Sequence, residues 1–288
     1  MKRRSGFTLI ELLVVIAIIA ILAGLTLGAV MMFYGKGAEI TCRNDLLQLK
    51  QALDKFKAKH GQYPPPMIRL RANMKDYLPP AQGGNRVDAL DDESLMFLRN
   101  MWKTLPAVTN IPWAGSTPMP AGGVILEGDQ CMMFFLVGPP AVGGDASKGF
   151  LGGFSNNPQA PVDPSSMSTP IRYMDPPNAG RLTIRNSALV PNQLFPSYLD
   201  GYGTQPYMYF APLRGRPEGY LTAPNSLGMR PYAKNVAMTQ FYLPDSIQLL
   251  CAGKDGQFGP GGYWVPGTAT GVGDDDTSNF HDKKLGLP

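Results

Sequence analysis

The chain has 288 residues, room for one large domain or two small ones once a membrane segment is set aside. Its 26 Lys and Arg against 22 Asp and Glu give a basic excess, but Lys2, Arg3 and Arg4 precede the first apolar run, and without them the balance is 23 to 22. The charge therefore gives no warrant for nucleic-acid binding, and 33 glycines with 28 prolines predict a loop-rich fold rather than a low-complexity one.

The first element follows at once. Leu12 to Tyr34 is 23 residues without a charge, about 34 Å as a helix and enough to cross a bilayer core. The basic tip before it stays in the cytoplasm, which places everything after Lys36 on the other side. A cleaved secretory signal would end near Ala20 to Ala23, but the helical pattern continues: Leu46, Leu49, Leu53 and Phe56 recur three or four residues apart, with Asp45, Lys50, Asp54, Lys55 and Lys57 between them. With no proline before Pro64, one helix is predicted from about Phe7 to His60, stopped by Gly61 and Pro64 to Pro66. Ala20, Gly24 and Gly28 follow a small-xxx-small spacing, and the glycines weaken the helix there by roughly 1 kcal/mol each relative to alanine.

The run Lys2-Arg3-Arg4-Ser5-Gly6-Phe7-Thr8-Leu9-Ile10-Glu11 resembles the type IV prepilin signature: a short basic leader, glycine, phenylalanine, and an acid five residues into the mature chain. The resemblance implies cleavage after Gly6 and methylation of Phe7 by a prepilin peptidase/N-methyltransferase. It implies an apolar helix that first anchors the subunit and later forms a filament core, with Glu11 paired to the amino terminus of Phe7 on a neighbouring subunit. A carboxylate in a membrane helix costs about 2.5–3.5 kcal/mol on insertion scales, which a cation offsets. The alternative for Glu11 is that it reaches back to water or to the leader's basic residues. Many relatives carry a proline near the position of Gly28, which this chain lacks.

Further along, Phe56 to Pro65 (FKAKHGQYPP) resembles the Gly-x-Tyr-Pro turn that ends the family's long helix. Asp200 to Tyr209 (DGYGTQPYMY) resembles a stretch of the type II secretion major pseudopilins, with Gly201 and Tyr202 in place of Pro-Trp and one extra residue before Pro206. Tyr207 and Tyr209 alternate with Met208, as in a half-buried strand. Ser246 to Gly259 (SIQLLCAGKDGQFG) and Gly273-Asp274-Asp275-Asp276 resemble the strand and acidic loops that bind calcium in that family. Asp255, Asp274, Asp275 and Asp276 are then the candidate Ca2+ ligands, oxygen donors suited to a hard cation; the alternative is a solvated acidic loop.

Between these matches, 67–199 reads as a large insertion and 215–232 as a smaller one. The first contains a predicted helix near Glu93 to Trp102, a predicted buried strand at Cys131 to Val137, and a loop from Ser155 to Asn178. Cys42, Cys131 and Cys251 have no zinc-type spacing; either Cys131 and Cys251 pair, leaving Cys42 free, or all three are small buried hydrophobes. The two histidines, His60 and His281, belong to no hydrolase or H-E-x-x-H motif.

The expected organisation is a leader over 1–6, a transmembrane and filament-core helix over 7–34, its amphipathic continuation over 35–61, and a globular head over 62–288. The fold class is α+β, a long N-terminal helix packed on a C-terminal antiparallel sheet with long loops. The expected function is a non-enzymatic pilin-like filament subunit, most like a type II secretion pseudopilin. Its partners would be the peptidase, further copies, other pseudopilins, an inner-membrane assembly platform and the membrane itself. It would be anchored by one pass in the inner membrane, its head in the periplasm or outside the cell. The alternative is a surface-exposed pilin-like adhesin or ligand-binding protein anchored by the same helix, with Glu127, Asp129 and the scattered tyrosines serving carbohydrate binding.

Overall fold

A computed structural model describes residues 9–105, 110–163, 165, 169–185, 194–213, 219–269 and 271–288; the side chains of 27–35 are left aside. Gly6 and Phe7 lie outside the described residues.

The first helix, α1, runs Leu9–His60 without interruption, the Gly24–Gly28 region included. It ends where the sequence requires. Gly61 takes the left-handed conformation (φ 73°) and its N–H donates to the Lys57 carbonyl at 2.7 Å, after which the prolines cannot continue a helix. Cys42, Leu46, Leu49, Ala52, Leu53 and Phe56 form the buried face of its second half. Leu9 to Thr26 is long and apolar enough to cross a membrane, and none of it is buried in the head.

The chain then forms β1 (Met67–Leu70), α2 (Ala89–Met101) and β2 (Val124–Glu127), with β1 and β2 antiparallel. Helix α2 begins four residues before the expected Glu93 because Asp88 caps it, accepting from the Leu90 N–H.

The expected strand at Cys131 to Val137 is instead part of α3 (Gly128–Val137), all ten residues of which are buried. A short, uniformly apolar run carries no period that separates strand from helix. The decision came from its start, where Glu127 and Gln130 form a reciprocal capping box. It came also from its surroundings, since α3 lies among α1, β1, β2 and two strands that follow it in the chain. Among its described residues, the Ser155 to Asn178 stretch contains no strand and one isolated bridge, Ile171 to Phe154.

Strands β3 (Leu182–Ile184) and β4 (Pro196–Tyr198) make an antiparallel pair. After β5 (Met208–Phe210) and β6 (Tyr232–Ala233) come β7 (Gln248–Cys251), β8 (Gly262–Tyr263) and β9 (Thr277–Ser278). The three-stranded antiparallel sheet is ordered β5-β7-β9, and β6 pairs with β8 in parallel. The architecture is α+β.

The period of two explains why this sheet is buried on both faces. Tyr207, Tyr209, Leu249 and Cys251 join the core shared by α1, α2 and α3, whereas Met208, Phe210 and Leu250 join a second core with Tyr220, Tyr232, Trp264 and Leu285. The segment expected to be half-buried is therefore wholly buried. The first core draws on α1 and on residues of 67–199 alike.

The cysteines correct the expected pairing. Cys42 of α1 is disulfide-bonded to Cys251 at the end of β7, with Cα atoms 6.3 Å apart, and Cys131 is the free, buried thiol. Cys131 lies on α3, where its Sγ donates to the Leu126 carbonyl.

Candidate assembly helix and acidic loops

The two halves of α1 meet different surroundings. Toward the amino end, Leu9, Ile10 and Leu25 are 80%, 72% and 71% exposed. Glu11 lies in the first described turn and is exposed, where an acid favours the helix dipole. From Cys42 onward the helix is clamped to the head.

That clamp uses residues of the aromatic motif at 200–209. The Tyr207 hydroxyl donates to Asp45 Oδ2 at 2.6 Å, and Arg181 Nη2 approaches the same oxygen at 2.8 Å while its guanidinium lies over the Tyr198 ring. Tyr209 donates to the Pro64 carbonyl at 2.7 Å, immediately beyond the end of α1. Tyr63 donates to Asp54, and Lys57 reaches the Asp245 carbonyl. Nearer the apolar half, Arg43 donates to the Asp282 carbonyl and Lys284 faces Glu39.

Asp45 and Arg181 escaped the sequence reading. A signal for Asp45 was present: it lies three residues after Cys42 and four before Leu49, on the buried face, where an acid needs a partner. Arg181 gave no local signal, because its partners lie on α1, on β4 and beside β5.

Asp200 folds the motif's turn. Its Oδ1 accepts from the Tyr202 and Thr204 N–H groups at 3.1 Å each, and Gly203 supplies a left-handed residue (φ 73°). Gly201 presses against α1, so that a Cβ there would lie 2.5 Å from the Ala38 carbonyl oxygen.

The acidic loops come together at the far end of the sheet. Asp275 Oδ2 accepts from the Lys254 and Asp255 N–H groups, joining the loop after β7 to the loop before β9. Asp276 is fully buried, and its Oδ2 accepts from the Gly259 N–H at 2.9 Å. Asp275 Oδ1, Asp276 Oδ1 and Thr277 Oγ1 are buried without a hydrogen-bond partner. Burial pushes the Asp276 carboxyl up to about 8 against the Gly259 hydrogen bond, and Asp275, Asp255 and Asp274 add to the rise. Asp255 and Asp274 are exposed, and Asp255 Oδ1 accepts from the Gln257 N–H. The structure thus brings Asp275 and Asp276 to one loop junction and leaves the exposed side chains of Asp255 and Asp274 at its rim. Asp275 Oδ1 and Asp276 Oδ1 are oxygens of the kind a hard cation takes, but among the described residues no three of these acids bring their oxygens within 4.8 Å of one another.

Glu127 and Asp129, the candidate ligand-binding acids, are not available for that role. Both are 2% exposed and bind Arg185 at 2.8 and 2.7 Å, with Ser197 donating to Asp129 and Ser226 to Glu127. His60 Nε2 lies 2.6 Å from the Tyr173 hydroxyl, and His281 Nε2 lies 3.0 Å from the Leu287 carbonyl.

Residues 1–27 match the family described as the prokaryotic N-terminal methylation motif. The chain is 40% identical over 63 residues to the type II secretion system core protein G of Aeromonas hydrophila, covering 22% of this chain and 44% of the relative. It is 39% identical over 64 residues to the protein of the same name from Klebsiella pneumoniae, covering 22% and 46%. For that of Pseudomonas aeruginosa the identity is 35% over 74 residues, covering 26% and 52%. The chain spans about half the length of these curated relatives. No solved structure matches.

Proposed function

We propose that this chain is a structural subunit of a type IV pilin-like filament, most like a type II secretion pseudopilin, and that it has no enzymatic role of its own. One observation carries the reading: a single 52-residue helix whose second half is the spine of a folded head and whose first 18 described residues, apolar apart from Glu11 and Thr26, are wholly uncovered. Such a surface is stable only in lipid or against like helices. The N-terminal motif and the likeness to core protein G supply the route from one setting to the other. A prepilin peptidase cuts after Gly6 and methylates Phe7, the helix anchors the subunit in the inner membrane with the head beyond it, and copies then stack through their helices on an assembly platform.

Mass spectrometry of the mature protein is expected to show loss of residues 1–6 and a methylated Phe7. A mature start near Ala23 to Thr26 would refute the reading and make the apolar segment a removed signal.

Calcium belongs to the same proposal. Asp275 and Asp276 would hold the ion through the oxygens that lack partners, with Asp255 and Asp274 at the rim, and the bound charge would offset the mutual repulsion of the acids. A cation that binds only the folded form stabilises it by RT ln(1 + [L]/Kd), about 2.7 kcal/mol at a hundredfold excess over Kd. The expected result is a rise of about 5–10 °C in the melting temperature of the detergent-solubilised chain. Asp276→Asn and Asp255→Ala should each remove most of it. Equal responses to calcium and magnesium, or an unchanged rise in both variants, would mark the loop as ordinary solvated charge.

A further inference from the structure

On the side of the β5-β7-β9 sheet that carries the first core, a cavity of about 620 Å³ opens beyond the end of α1. Its walls are Pro65, Pro66 and Met67, then Met96 and Phe97 of α2, and Leu213 after β5. Met96 is 68% exposed at this cavity, and Glu93 of the same helix brings a carboxylate to it. Gln62 Nε2 also lines it and is a buried donor without a hydrogen-bond partner. The volume and the apolar walls are those of a binding site, and an unpaired buried donor calls for an acceptor from outside.

On the side of the second core, residues 234–240 form a loop closed by the bridge of Ala233 to Phe241. The Lys234 N–H donates to the Gln240 carbonyl at 2.7 Å, and Asn235 Oδ1 accepts from the Thr239 and Gln240 N–H groups at 3.0 and 3.1 Å. Met238 is held in the left-handed conformation (φ 52°), uncommon for a residue with a Cβ. This pinned loop presents Val236, which at 78% is the most exposed large apolar side chain among the described residues of the head. Among the described residues, no donor reaches the Val236 or Ala237 carbonyl. The loop is cationic: Lys234 is exposed beside the tip, and no Asp or Glu occurs from Gly219 to Pro244.

We propose that the Val236 loop of one copy seats in the Met96 cavity of a second copy, a contact between heads along the filament. The inference rests on the filament reading above and names the surfaces through which the heads meet. Three features match. An apolar tip enters an apolar cavity, a carbonyl of Val236 or Ala237 accepts from Gln62 Nε2, and Lys234 comes to the charge of Glu93. The loop is pinned before it docks, so little conformational freedom is lost on seating. Loop and cavity belong to opposite sides of the sheet, Tyr232 and Ala233 lying in the second core and Ile68 and Phe97 in the first. The contact therefore joins unlike surfaces of two copies and leaves one of each open for the next, the arrangement that adds copy to copy rather than closing a two-fold dimer.

The test uses the full-length chain in cells that assemble it. A chain carrying both Met96→Cys and Val236→Cys, treated as intact filaments with a short bismaleimide, should give a ladder of dimers, trimers and higher multimers, whereas either substitution alone should give no ladder. The native cysteines do not compete, Cys42 and Cys251 being bonded to each other and Cys131 buried. Val236→Glu places an acid in the apolar cavity and should lower the filament yield at least about tenfold, with membrane insertion and melting temperature unchanged. Adding Met96→Lys should restore the yield, a rescue that a purely local role for Val236 would not give. Filaments without a ladder, or a normal yield from Val236→Glu, would overturn the contact and leave the filament reading standing. A cross-link that stops at dimers, or one to a different protein, would overturn the docking of unlike surfaces of this chain. Absence of filaments from the native chain would overturn the contact and the filament reading together.

Discussion

Asp91→Ala is expected to destabilise the head by about 3–5 kcal/mol, because it strands the buried Arg71 guanidinium and takes from Arg69 one of its two carboxylate partners. Arg71 is 1% exposed and grips Asp91 through Nε and Nη2, each at 2.8 Å. Arg69 adds a contact to Asp91 at 3.1 Å while also pairing with Asp88, and the Val87 N–H donates to Asp91 Oδ2. The fork-to-fork geometry ties β1 to α2, and the backbone on either side is held too: Trp113 donates to the Arg71 carbonyl and Tyr77 to that of Arg69.

The same carboxylate gives a pH signature. Burial pushes the Asp91 carboxyl up, but the hydrogen bonds from Arg71 and Val87 and the two guanidinium charges outweigh it and hold the group at about 2. A depressed folded value means that the stabilisation is complete above the unfolded value near 4 and is lost as the pH falls through about 2. The stability gap between the native chain and Asp91→Asn should therefore shrink by about 2 kcal/mol between pH 5 and pH 2. Denaturant titrations of both proteins across that range measure it. A constant gap, or a loss below 1 kcal/mol for Asp91→Ala at neutral pH, would show that the arginines are satisfied without Asp91.

The second large effect concerns assembly rather than folding. Glu11→Gln should leave the chain inserted in the membrane and stop or strongly reduce filament formation. Removing the charge makes insertion easier by about 2–3 kcal/mol at most, so insertion is not what fails. What is lost in the proposed mechanism is the acid that meets the amino terminus of Phe7 on the next subunit once cleavage has created it. Membrane fractionation and filament yield, measured together, separate the two steps. A normal yield of filaments from Glu11→Gln would dismiss the pairing.

The sequence by itself determined the parts of this protein whose physics is local. The apolar length of α1, its stop at Gly61 and the prolines, and its buried face through Leu46, Leu49, Leu53 and Phe56 depend on period, reach and backbone conformation within a few residues. The N-terminal motif is likewise contiguous, and it could be read whole. That 131–137 continues a helix was set partly by the local capping box of Glu127 and Gln130, and for the rest by tertiary structure, because the uniformly apolar run takes its form from what surrounds it, here α1 and the sheets. Only the tertiary structure decided that Cys42 rather than Cys131 meets Cys251, and that Asp45 meets Tyr207 and Arg181. Those partners are separated by 209, 162 and 136 residues. Their pairing is set by how β5 and β7 lie against the helix, a relation of whole elements that no local spacing encodes. The acidic loops fall between the two cases: their composition was legible, but which oxygens remain without partners became visible only when the loop after β7 closed on the loop before β9.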